Sequence, residues 1–208
     1  MLWQDHQTLA AGLRDQGLAD CLVAHFCLRD DDLSFPGRRM TLAHVVVAKS
    51  QQSIEKVVKG WLLWQSASFD PTKGHTPFTR ELEQPELRPP LKRLLLVLGR
   101  LNPQLVRQIK WLEGLAPHPP GVPEGQRGFP QPLTIIPENT EYPFWSVANN
   151  RLLTSAEGIP LRPHGVDAFK AARTFLKAMA ASDPKGFTEP IAAFLERYHM
   201  STDIRESL

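Results

Sequence analysis

AHVVVAKSQQSIEKVVKGWLLW, Ala43 to Trp64, decides the fold class of this chain. Ala43, Val47, Ser50, Ile54, Val57, Trp61 and Trp64 follow one another at alternating spacings of four and three residues. At about 3.6 residues per turn, that spacing draws one apolar stripe down a helix, with the small Ser50 as its polar member. Lys49, Gln52, Glu55, Lys56 and Lys59 fall on the opposite surface, and Glu55 stands one turn before Lys59, the favourable order for an ion pair. The segment predicts a long helix, core on one side and charged on the other.

Working outward, Asp5 to Leu28 places Leu9, Leu13, Leu18, Leu22, Val23 and Phe26 at helical spacing and predicts a first helix, weakened at Gly12 and Gly17. Arg29 to Arg39, RDDDLSFPGRR, has an acidic run and a Pro-Gly turn signal and reads as the loop into the long helix. The long helix is expected to stop near Ser66, because Asp70, Pro71 and Gly74 follow closely. Two shorter helices, Leu91 to Leu101 and Gln104 to Glu113, form a predicted hairpin, with Pro89 and Pro90 at one start and Asn102-Pro103 as N-cap and first-turn residue of the next. Lys92, Arg93, Arg100, Arg107 and Lys110 make this hairpin the densest basic surface of the chain, read here as a solvated face.

Ala116 to Pro137 holds seven prolines with interspersed glycines, a stretch too stiff and too poor in backbone donors for regular structure. Loops of that length inside a domain serve function or stay disordered, so it is a lid, a partner-binding arm or a spacer. A short strand pair is expected around Leu152 to Leu161. Val166 to Ala181, with Val166, Phe169, Ala172, Phe175, Leu176 and Met179 in phase, predicts a late helix. Thr188 to His199 predicts a last one, with Pro190 tolerated in its first turn.

The chain of 208 residues, 42% hydrophobic and 22% charged, is within the range of one globular domain. The expected organisation is a single domain over 1–208, with 116–137 as a loop insertion and 183–208 as a C-terminal helical extension. No apolar run reaches the roughly 20 residues needed to span a bilayer, and Met1 to Ala11 lacks the basic start and apolar core of a signal peptide. A cytoplasmic protein without a membrane anchor is expected. Net charge is +2, so electrostatics makes no general case for nucleic acid and any such binding needs a local patch. Cys21 and Cys27 lie six residues apart in a predicted helix, about 9 Å at 1.5 Å per residue, too far for a disulfide. They read as ordinary buried thiols, and neither a metal nor a cofactor is expected. There is no Gly-rich phosphate loop and no GxSxG serine.

Three pieces, in this order, resemble the HEPN family of helical bundles: SQQSIEKVVKG at Ser50 to Gly60, GHTPFTREL at Gly74 to Leu82 and NTEYPFW at Asn139 to Trp145. They are similar to that family's second helix, to its histidine after that helix, and to its tyrosine-proline segment before the last core helix. The resemblance implies a mainly α, up-and-down bundle of four to five core helices, here carrying the Pro-rich insertion and an extra C-terminal helix, and commonly a homodimer. It also implies an interaction, nucleotide-binding or RNA-binding module, with a nucleotidyltransferase or other protein partner, of the kind found in toxin-antitoxin or defence systems. The alternative is a metal-independent endoribonuclease. The family's nuclease motif is an arginine and a histidine with four to six residues between them, His moving a proton and Arg polarising the phosphate. Arg38 or Arg39 with His44 matches that spacing, though it lies before the second helix where the family's motif lies later, and Arg39 with His44 is the candidate catalytic pair.

Lys56, Lys59, His75, Arg80 and Tyr142 are the candidate nucleotide or phosphate contacts. Each has a plainer reading: a solvated helix face for the lysines, a backbone hydrogen bond for His75 beside Thr76-Pro77, and a loop tie through its hydroxyl for Tyr142. Trp61, Trp64, Trp111 and Trp145 read as core, because a base-stacking platform would need them exposed among basic residues.

Overall fold

The computed structural model describes residues 3–29, 33–35, 38–40, 42–65, 85, 88–114, 144–146, 151–153, 162–182 and 186–200. Within them the protein is mainly α: α1 (Trp3–Arg29), α2 (Ala43–Gln65), α3 (Arg88–Leu101), α4 (Leu105–Gly114), α5 (Arg162–Ser182) and α6 (Glu189–Arg197). Two small antiparallel pairs accompany them, β1 (Leu33–Phe35) with β2 (Arg38–Met40) and β3 (Phe144–Ser146) with β4 (Arg151–Leu153). The expected loop Arg29 to Arg39 is therefore partly a hairpin, with Leu33 opposite Met40 and Phe35 opposite Arg38 across the Pro-Gly position. The later strand pair also differs from expectation. Phe144 pairs with Leu153 and Ser146 with Arg151, so the partner of Leu152 precedes it in the chain.

α2 extends from Ala43 to Gln65, as its spacing predicts, but its surroundings differ. No residue from Val45 to Trp64 is exposed. The expected charged face is covered because α1 runs antiparallel along it and supplies the counter-charge: Asp20 Oδ1 lies 3.0 Å from Lys49 Nζ, and Oδ2 lies 2.5 Å from Lys56 Nζ. Lys59 Nζ pairs with Glu55 Oε1 at 2.6 Å one turn back, and the whole residue is 7% exposed. Two glycines set the closeness of the pair. A Cβ on Gly17 would stand 2.7 Å from Val57 Cγ2 and 2.9 Å from the Ser53 carbonyl, and one on Gly60 would stand 2.7 Å from the Ala10 carbonyl. Gly17 is thus a packing residue, whereas Gly12 faces open space.

α5 lies beside α2 and touches each of the five other described helices. Its inner positions alternate small and large residues: Ala168, Ala171, Ala172 and Ala178 admit neighbours closely, while Phe169, Phe175, Leu176 and Met179 fill the remaining volume. Against these two helices pack Leu91, Leu94 and Leu98 of α3 and Leu105, Ile109 and Leu112 of α4.

α6 closes the end of the bundle with Ile191 and Leu195 inward. It terminates in a Schellman arrangement, with Met200 N donating to the Leu195 carbonyl at 2.8 Å and His199 N to the Glu196 carbonyl at 3.1 Å. His199 takes the left-handed position, at φ 53°. The Met200 carbonyl then accepts from Arg173 Nε of α5 at 2.6 Å, which ties the helix end to the core. The expected insertion, residues 116–137, lies outside the described residues. Among the described residues no helix is long and apolar enough to cross a membrane.

Candidate functional site: a groove between α4 and α5

The turn that joins α3 to α4 sets the orientation of the groove. Asn102 Oδ1 accepts from Gln104 N at 3.0 Å, and the Asn102 carbonyl accepts from Leu105 N at 3.0 Å, so the expected cap is in place. Leu105, Ile109 and Leu112 then point inward at helical spacing, which turns Gln104, Arg107, Gln108 and Trp111 outward along the opposite side. Gln51 Nε2 of α2 donates to the Leu112 carbonyl at 2.6 Å and fixes the far end of α4.

Across from this row, α5 presents Asp167 and Lys170 one turn apart, flanking the inward Phe169. The six side chains enclose an open groove of about 490 Å³. Arg107, Lys170, Gln104 and Asp167 are exposed, and Gln108 and Trp111 are half-buried. Neither Arg107 nor Lys170 forms an ion pair among the described residues, and the buried Oε1 of Gln108 has no hydrogen-bond donor there. The arrangement offers two cations, one carboxylate, two amides and an indole face within one concavity. Such a set suits a ligand with both an anionic and a flat apolar part.

The residues singled out in the sequence are placed elsewhere. Arg39 lies in β2 opposite Ser34, and His44 is the second residue of α2. Lys56 and Lys59 lie on α2 beside the carboxylates of Asp20 and Glu55. His75, Arg80 and Tyr142 lie outside the described residues. Trp111, read from the sequence as core, packs partly on the core and partly lines the groove. Gln104, Gln108, Asp167 and Lys170 carried no motif. The available signal was the outward row at 104, 107, 108 and 111, whose partner residues sit about sixty positions later in the chain.

Two groups with shifted pKa values lie away from the groove, on α1. Burial pushes the Cys21 thiol up to about 12, against the opposing pull of Arg173 and Ser53. Burial also lowers His25, and the Arg29 and Arg173 guanidinium groups add to the effect. Cys21 and Cys27 are not joined in a disulfide. Among the described residues no group of three or more His, Cys, Asp or Glu side chains is placed to hold a metal ion. Comparison with family models, with curated proteins and with solved structures returned no match to this chain.

Proposed function

We propose that this protein is a cytoplasmic, HEPN-like helical binding module for a nucleotide or for RNA, and that the groove between α4 and α5 is its ligand site. The observation that carries the reading is the placement of the Trp111 indole beside Arg107 and Lys170. A base stacks on the indole, the cations take phosphate oxygens, and the unsatisfied Gln108 amide oxygen accepts from a base edge. Asp167 accepts from a ribose hydroxyl. The test is a calorimetric titration with a nucleoside monophosphate, a short uridine oligomer and inorganic phosphate. The reading expects Trp111→Ala to weaken the two base-bearing ligands by about tenfold or more, in line with ~1–3 kcal/mol for one stacked base. Equal binding of inorganic phosphate and the nucleotide, or no binding at all, would overturn it.

The second reading is a metal-independent endoribonuclease using Arg39 and His44, which lie in the successive elements β2 and α2. Cleavage of an RNA pool in EDTA by the wild type, lost in a folded His44→Ala variant, would establish it in place of the binding module. We assign the protein to a homodimer through the outer side of α1, where Leu9, Val23 and Phe26 are 40%, 40% and 50% exposed. A nucleotidyltransferase or other protein partner, in a toxin-antitoxin or defence setting, completes this reading. Light scattering of the wild type and of Val23→Glu distinguishes dimer from monomer.

A further inference from the structure

α3 differs from the other helices in its charge. Its fourteen residues include Arg88, Lys92, Arg93 and Arg100 and no acidic residue, in a chain whose net charge is +2. At about 100° per residue, Lys92, Arg93, Leu96 and Arg100 share one side of the helix. All four are exposed, whereas Leu91, Leu94 and Leu98 on the other side are buried. Leu96 sits among the cations, with Lys92 and Arg93 one turn before it and Arg100 one turn after. It is 62% exposed, more than any other large hydrophobic residue among those described.

Among the described residues the cations are also unanswered. Asp15, Asp20 and Glu55 each face a basic partner on α1 or α2, but Lys92, Arg93 and Arg100 form no ion pair with any described residue. Leu96 places an apolar surface at the centre of these cations, left in water by the described residues. A nucleic-acid backbone would engage the cations and leave Leu96 wet. An acidic protein segment with an apolar side chain among its carboxylates uses both features, the apolar contact at the centre and the charges at the rim.

We infer that the outer face of α3 is a docking surface for an acidic protein segment, whose single apolar anchor seats on Leu96 between Lys92, Arg93 and Arg100. This surface is separate from the α4–α5 groove and does not depend on what that groove binds. The experiment is selection of a phage-displayed library of short random peptides on the wild-type protein, with depletion on the Arg93→Glu/Leu96→Ser variant. The enriched peptides are expected to carry acidic residues on both sides of one apolar residue. The best of them, as a fluorescein-labelled free peptide, is expected to lose about tenfold or more in affinity for Leu96→Ser and for Arg93→Glu separately, and to weaken as salt rises.

Both positions are exposed, and matching circular dichroism confirms that the variants are folded. Three results overturn the inference: no enrichment of the acidic-apolar pattern, equal binding of the selected peptide by Leu96→Ser, or binding of a uridine oligomer that Arg93→Glu abolishes and Leu96→Ser leaves unchanged.

Discussion

Arg14 and Phe187, 173 positions apart, are joined twice: Arg14 Nη1 donates to the Phe187 carbonyl at 3.2 Å, and the guanidinium carbon lies 5.5 Å from the centre of the Phe187 ring. Both residues are buried, at 8% and 1% exposure, so the contact is shielded from bulk solvent. The same ring packs on Trp64 of α2, with centroids 5.8 Å apart. One cation thereby fastens the entry to α6 onto both early helices. Arg14→Met, which keeps the stem and removes the charge, is expected to lower stability by about 2 kcal/mol, from one charged hydrogen bond and one cation–π contact. Urea unfolding checks this, and an unchanged midpoint would show that the contact contributes nothing net.

The glycines of α1 and α2 separate into two kinds. Gly17→Ala and Gly60→Ala drive a Cβ into backbone oxygen or a packed side chain, and each is expected to destabilise by about 1–3 kcal/mol. Gly12→Ala meets nothing within 4 Å in mid-helix, so it is expected to stabilise by about 0.5–1 kcal/mol. Thermal melts of the three variants should therefore move in opposite directions.

Cysteine reactivity should follow burial. Cys21 is fully buried with its thiol pushed up to about 12, while Cys27 is half-buried. Alkylation of the native protein at pH 8 is expected to modify Cys27 and spare Cys21, with Cys21 reacting only after denaturation. Mass spectrometry of the Cys27→Ser variant, expected to show no native labelling, isolates the second site.

His25 makes the fold sensitive to acid. Its folded-state pKa lies below the ordinary 6.5, so between those two values the unfolded chain binds the extra proton and the folded chain does not. Its contribution is complete above about pH 6.5 and is lost as pH falls through that value toward the folded pKa. The ring packs on Phe169 of α5 with centroids 5.4 Å apart, so His25→Gln costs some packing at every pH. The distinguishing measurement is the slope: the variant should lose less stability than wild type between pH 7 and pH 5.

The helical framework was legible where periodicity was strong. Ala43 to Trp64 and Val166 to Ala181 lie within one to four residues of the helices observed, and the Asn102 cap is where its chemistry placed it. Periodicity reports which side chains share a face and is silent on what covers that face. The lysines of α2 read as solvated because their counter-ion, Asp20, lies on another helix. The β1–β2 hairpin escaped notice because three-residue strands are too short to establish an alternation, and the acidic run dominated the reading. The groove escaped notice for a related reason. Arg107 and Trp111 are unremarkable until Lys170 arrives from a distant helix to complete the concavity.

The position of α5 has a consequence for measurement. A helix in contact with all five other described helices cannot lose a neighbour without exposing part of itself, so its central amides, Ala168 to Met179, should exchange with solvent only when the whole core opens. Asp167 and Lys170 stand on that helix, so any occupant of the groove is linked directly to the global unfolding equilibrium. Saturation at a hundred times the dissociation constant would add about 2.7 kcal/mol to unfolding by mass action alone. The melting temperature is thus itself a ligand assay, able to screen nucleotides, RNA and peptides on the unmodified chain before any activity has been assigned.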